Sequence, residues 1–134
     1  MKGTIYFFIL TIFFNLSVLA QHYDLDNARN LFNDGKYSAA QFILSELSNL
    51  NTVDEEVLLL SAKCSKELFL SDAVLLYNEL NMRFPYHQYK NEVNIDLALI
   101  YYRVKNYSVA VEYFSRAKEL TNEQMFKMAY SNFM

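Results

Sequence analysis

Two histidines, His22 and His87, and one cysteine, Cys64, are the only imidazole and thiol side chains in the sequence. Neither histidine has a second His, a Cys or a carboxylate at a spacing that would complete a zinc site. His87 falls in the segment Pro85-Tyr86-His87-Gln88-Tyr89, which reads as a solvated turn with aromatic packing. Cys64 sits among apolar residues of a predicted helix and has no second thiol for an internal disulfide. It reads as a small buried side chain, with an intermolecular bridge or a reactive thiol as the alternatives. Asp54, Glu55 and Glu56 are adjacent carboxylates. They open a predicted helix, where the dipole favours negative charge, and paired acid–base catalysis is the competing use. Two isolated glycines cannot build a phosphate-binding loop, and no Gly-x-Ser-x-Gly elbow is present. The expectation is a protein without catalytic, cofactor-binding or metal-binding residues, hence not an enzyme.

The elements that would carry these residues are helices. Two Gly and one Pro in 134 residues are too few for a β-rich chain, which needs a turn every several residues. Apolar residues make up 53% of the chain, enough for one domain with a modest core. The net charge is −3, and the charges are mixed along the chain without a basic run. Such a surface offers little to a phosphate backbone, so nucleic acid is not an expected partner.

The N-terminus reads as a secretory signal peptide over residues 1–20. Lys2 supplies a short positive region, Ile5 to Leu16 an apolar one, and Val18-Leu19-Ala20 the small residues of a cleavage site before Gln21. A retained membrane anchor needs about 20 apolar residues; it and a buried core helix are the other readings. Gln21 stands where a lipoprotein would have Cys, so no lipid anchor is expected.

One phrase recurs in the remainder. Leu31-Phe32-Asn33-Asp34-Gly35-Lys36-Tyr37-Ser38-Ala39-Ala40 is echoed by Tyr101-Tyr102-Arg103-Val104-Lys105-Asn106-Tyr107-Ser108-Val109-Ala110. Each is a helix end, a polar turn and the opening of a second helix. A more apolar copy, Lys66-Glu67-Leu68-Phe69-Leu70-Ser71-Asp72-Ala73, lies between them. Ala40, Ala73 and Ala110 are 33 and 37 residues apart. Apolar spacing, possible capping boxes at Thr52–Glu55 and Thr121–Gln124, and the break at Phe84-Pro85 predict helices at about 23–34, 38–49, 53–67, 71–83, 90–104, 108–119 and 122–134.

This pattern resembles the tetratricopeptide repeat, a helix–turn–helix unit of about 34 residues, in its exported bacterial form. The resemblance covers residues 21–134, with copies at about 21–54, 54–87 and 91–124 and a truncated fourth at 122–134. It implies an all-α fold, a right-handed α-solenoid of about three and a half repeats. In that family the first helix of each repeat lines a concave groove that holds protein or peptide segments. Carried onto this chain, the groove positions fall on Arg29, Phe32 and Asn33; on Glu55, Leu58, Ala62 and Lys66; and on Glu92, Ile95, Leu99, Tyr102 and Arg103. The Lys/Asn clamp with which some members grip a terminal carboxylate is not matched.

Asn122 to Met134 reads as the first helix of a repeat without its partner. Met125, Phe126, Met128, Ala129, Phe133 and Met134 would leave an apolar end through which the protein associates. The expectation is a piece of a longer protein, the alternative a natural end that caps itself or dimerises. The functional expectation is an exported interaction scaffold of the periplasm or cell envelope. The competing expectation is the extracytoplasmic sensor region of a membrane-spanning kinase or transcription regulator.

Overall fold

The computed structural model describes residues 24–50 and 53–134. Among these, the chain forms seven helices and no strand: α1 (Leu25–Asn33), α2 (Tyr37–Asn49), α3 (Glu55–Glu67), α4 (Ala73–Arg83), α5 (Lys90–Arg103), α6 (Tyr107–Arg116) and α7 (Asn122–Phe133). The signal-peptide segment, Gln21, His22 and Thr52 lie outside the described residues. Each helix packs against the next, and α1 also reaches α3. The result is an all-α solenoid of paired helices. No described helix is long and apolar enough to cross a membrane.

The hairpin turns share one backbone device. Gly35, Phe69 and Lys105 adopt left-handed backbone, with φ of 75°, 58° and 61°. The following residues Lys36, Leu70 and Asn106 each donate a backbone hydrogen bond to the carbonyl of Leu31, Ser65 and Tyr101, at 2.8, 2.8 and 2.9 Å. These bonds satisfy carbonyls that the ending helix leaves open. Glycine adopts this backbone freely, whereas a residue with a Cβ loses about 1–2 kcal/mol there.

The turns correct the register of the middle repeat. Ala28, Ala62 and Ala98 each precede a left-handed residue by seven positions, and all three are fully buried. Ala62 is therefore the close-packing residue of α3, facing inward rather than into the groove. The second helices keep the predicted register. Leu44, Tyr77 and Phe114 stand four residues after Ala40, Ala73 and Ala110, and all six are buried. The discrepancy is absorbed at Leu70–Asp72, a non-helical stretch before α4 begins at Ala73.

Three packed clusters run along the stack. The first gathers Ala28, Ala40, Leu44, Val57 and Cys64; the second Leu58, Leu59, Tyr77, Leu80, Val93 and Leu97; the third Ala98, Ala110 and Phe114. Cys64 is fully buried, and burial, assisted by Glu67, pushes its thiol up to about 12. It is a packing residue.

Helix starts are partly as expected. Thr121 and Gln124 form the reciprocal capping box of α7. At α3 the cap is Asp54, whose Oδ1 accepts from the backbone N–H of Glu56 at 3.0 Å and of Val57 at 2.8 Å. The carboxylates Glu55 and Glu56 lie in that first turn. Helix α6 stops at Arg116, earlier than its apolar spacing suggests, because Ala117 turns to extended backbone and the Lys118 N–H donates to Asn91 Oδ1 at 2.6 Å.

The connection before α5 also departs from expectation. His87 is buried instead of solvated, paired through Nε2 with Asn81 Oδ1 at 2.9 Å, while Tyr86 points outward. At the C-terminal end, α7 turns Met128 and Ser131 inward, Met128 onto the third cluster. Ala129 is exposed, as are Met125, Phe126 and Phe133. Met128 is thus not part of the open apolar face.

Candidate partner-binding surface

Helices α1 and α3 and the start of α5 together enclose a shallow depression of about 230 Å³. Arg29, Phe32 and Asn33 line it from α1, Glu56, Leu59, Leu60 and Lys63 from α3, and Tyr89 and Glu92 from the beginning of α5. One-face helical spacing explains the grouping: Arg29, Phe32 and Asn33, and Glu56, Leu59, Leu60 and Lys63, recur at three and four residues.

Its charges are paired across repeats. Arg29 binds Glu56 Oε1 through Nε at 2.8 Å and Nη2 at 2.6 Å, and also meets Asp26. Hydrogen bonding to Glu56 and then to Asp26 raises the guanidinium further above its ordinary value. Lys63 pairs with Glu92, and its ammonium lies 5.9 Å from the centre of the Phe32 ring. The groove therefore presents alternating charge around an aromatic floor, with each strong cation already opposed by a carboxylate. Partly exposed pairs of this kind fix side-chain positions more than they stabilise the fold.

Deeper in the stack, Asp96 is 5% exposed and is held from two sides. Lys66 Nζ donates to its Oδ1 at 2.7 Å, and the buried Tyr77 hydroxyl donates to its Oδ2 at 2.5 Å. Burial opposes the Lys66 charge, but Asp96 and Glu67 outweigh it and the ammonium is raised. Burial, followed by the Asp96 charge, raises the Tyr77 hydroxyl and keeps it a donor. This cluster ties α3, α4 and α5 together.

The positions carried over from the repeat pattern separate into three groups. Arg29, Phe32, Asn33 and Glu92 share the depression. Lys66 and Arg103 line a different cleft, at the turn between α3 and α4. Leu99 packs on the third cluster, and Tyr102 packs edge-on to Tyr107 and Tyr130 at 5.7 and 6.2 Å. Ile95 is half-buried, and the ring of Phe32 also meets Tyr37. Leu58 is a core residue, 4% exposed among Tyr77, Leu80 and Val93. The one-residue register change explains it: Glu56, Leu59 and Lys63 stand where Glu55, Leu58 and Ala62 were placed. Aligning the turns on Gly35, Phe69 and Lys105 would have found all three.

Among the described residues, no three His, Cys, Asp or Glu side chains are grouped to hold a metal ion.

Paired helices stacked in register, with a groove on their first-helix face, define a helical-repeat protein. The family model described as Tetratricopeptide repeat matches residues 61–134, and the chain belongs to that family. Comparison with curated proteins and with solved structures gave no match.

Proposed function

We propose that this protein is an exported scaffold of the cell envelope that holds segments of other proteins in the groove formed by α1, α3 and α5, with no reaction of its own. Tetratricopeptide repeats characteristically bind proteins or peptides, which supports the interaction role. The observation that carries the reading is the depression lined by Arg29, Phe32, Lys63 and Glu92, where aromatic surface and paired charges from α1, α3 and α5, the first helices of three successive repeats, face one space. An extended or helical segment would lay apolar side chains on Phe32 and Leu59 and exchange hydrogen bonds with the rim. Residues 1–20 act as the cleaved export signal, and residues 21–134 as the repeat domain.

Two measurements test this. The intact mass of the protein isolated from its native envelope fraction is expected to begin at Gln21; retention of residues 1–20 would replace export by membrane anchoring. Photocrosslinking amino acids placed at Asn33 and Lys63 are expected to capture the same discrete partner in cells, while one at Glu79, on α4, captures none. Identical products from all three positions would remove the groove from the proposal.

A further inference from the structure

The αL turn of the middle repeat differs in kind from the other two. Gly35-Lys36 and Lys105-Asn106 are polar pairs, whereas Phe69-Leu70 is apolar. Phe69 holds left-handed backbone that glycine adopts more readily, yet its side chain is 75% exposed, and Leu70 is 46% exposed. The fold thus bears an unfavourable backbone and gains little burial in return. Lys105 holds the same backbone with an exposed polar side chain, so what sets the middle turn apart is its exposed apolar pair.

Beside this turn lies an open cleft of about 400 Å³, larger than the depression in the groove. Its walls are mainly apolar: Phe69, Leu70, Val74, Ile100 and Val104. The polar residues bordering it include Lys66 and Arg103, and no carboxylate lines it. Lys66 is committed to Asp96 and Glu67. The Arg103 guanidinium lies 4.3 Å from the centre of the Phe69 ring and reaches the Lys66 carbonyl at 3.4 Å. Among the described residues it has no carboxylate partner, in contrast to Arg29, Lys63 and Lys66. Stacking on the ring orients its fork while leaving donors for an oxygen ligand. The cleft lies between the second and third repeats, walled by α3, α4 and α5 and their turns.

From these observations we infer that the cleft takes, from a partner protein, an apolar side chain whose sequence neighbour carries a carboxylate. The apolar group seats between Phe69, Leu70 and Val104, and the carboxylate meets Arg103. Charge complementarity at Arg103 selects this partner: with Lys66 neutralised by Asp96 and Glu67, the guanidinium without a carboxylate opposite it favours an acidic residue and disfavours a basic one. The inference rests on the protein holding protein segments, but places this contact on the turn edge and not in the groove.

The test follows backbone amide resonances of the isotope-labelled full chain during titration with a short peptide. Its core is Leu-Phe-Asp-Glu, flanked by Gly and Ser, and a matched peptide carries Leu-Phe-Asn-Gln. Expected shifts cluster at Phe69, Leu70, Arg103 and Val104, and the uncharged peptide binds about fivefold more weakly. Phe69→Gly is expected to abolish the shifts while raising the urea midpoint, a combination that loss of folding does not produce. Arg103→Gln is expected to bring the two peptides to equal affinity. Shifts confined to Phe32, Asn33 and Lys63 would overturn the cleft and leave the groove intact. Shifts at neither surface would overturn the cleft alone, because the groove is judged by crosslinking. Equal binding of the two peptides to the unsubstituted protein would overturn the carboxylate contact. A mass that falls from dimer to monomer on Phe69→Gly would assign the cleft to a second copy of the chain and overturn a separate partner.

Discussion

Asp96 shows how one polar side chain can hold three helices. Its two oxygens take Lys66 and the Tyr77 hydroxyl inside otherwise apolar packing. Removing it leaves an ammonium and a phenol without their buried acceptor, so Asp96→Ala is expected to destabilise by about 3 kcal/mol. Tyr77→Phe removes one hydrogen bond from a carboxylate that keeps its lysine, and should cost about 1–2 kcal/mol. Urea unfolding checks both, and equal losses would contradict the assignment. His87 provides a pH-dependent counterpart. Burial, with Lys90 adding to it and Glu55 opposing, lowers its pKa below the ordinary 6.5. The folded state therefore binds the proton less well than the unfolded chain. The associated stability is present above about pH 6.5 and is lost as the pH falls below it. Unfolding midpoints measured across that range should decline toward acid, and His87→Gln should remove this part of the slope.

At the scale of the element, turns and caps decide where helices stop. Lys105 occupies the same left-handed position as Gly35 and is exposed. Lys105→Gly is expected to raise stability by about 1 kcal/mol, since the turn gains an unstrained residue and loses no packing. A lower urea midpoint would show that the lysine makes a compensating contact. The same comparison explains which signals were legible. Seven helices could be read from apolar spacing, and Thr121 from its partner Gln124. The cap of α3 could not be separated so easily, because Thr52 and Asp54 are both good capping residues and only the chain path selects Asp54.

Over the whole molecule, each helix touches mainly its neighbours, so stability is expected to vary along the stack. Helix α7 has one buried face, which packs on α6 and meets Tyr102 of α5, and leaves Met125, Phe126 and Phe133 exposed. The segment α3–α5 combines the second core cluster with the Asp96 cluster. Native-state hydrogen exchange should therefore show α7 opening with less protection than α3, α4 and α5. Uniform protection over all seven helices would mean that the repeats unfold as one cooperative unit. Of the residues expected at an open apolar end, Met128 alone packs inward.

The local code of this chain determined much of its architecture. Sparse glycine and proline, apolar spacing along each helix and the recurring alanines specified paired helices, because these features act through backbone preference and one-face burial. The lining of the depression was legible at Arg29, Phe32, Asn33 and Glu92, where the repeat pattern is regular. It was not legible at Glu56, Leu59 and Lys63. There the Phe69 turn is one residue closer to Ala73 than Gly35 is to Ala40, and a one-residue shift rotates a helix by about 100°. Tertiary structure showed that rotation, since the apolar Leu68-Phe69-Leu70 carries no polar turn signal and the left-handed backbone at Phe69, with Ala62 buried, marks which side of α3 faces inward. It also decided the pairing of Asp96 with Lys66 and Tyr77, and the meeting of Arg103 with Phe69, because those partners lie 30, 19 and 34 residues apart in sequence.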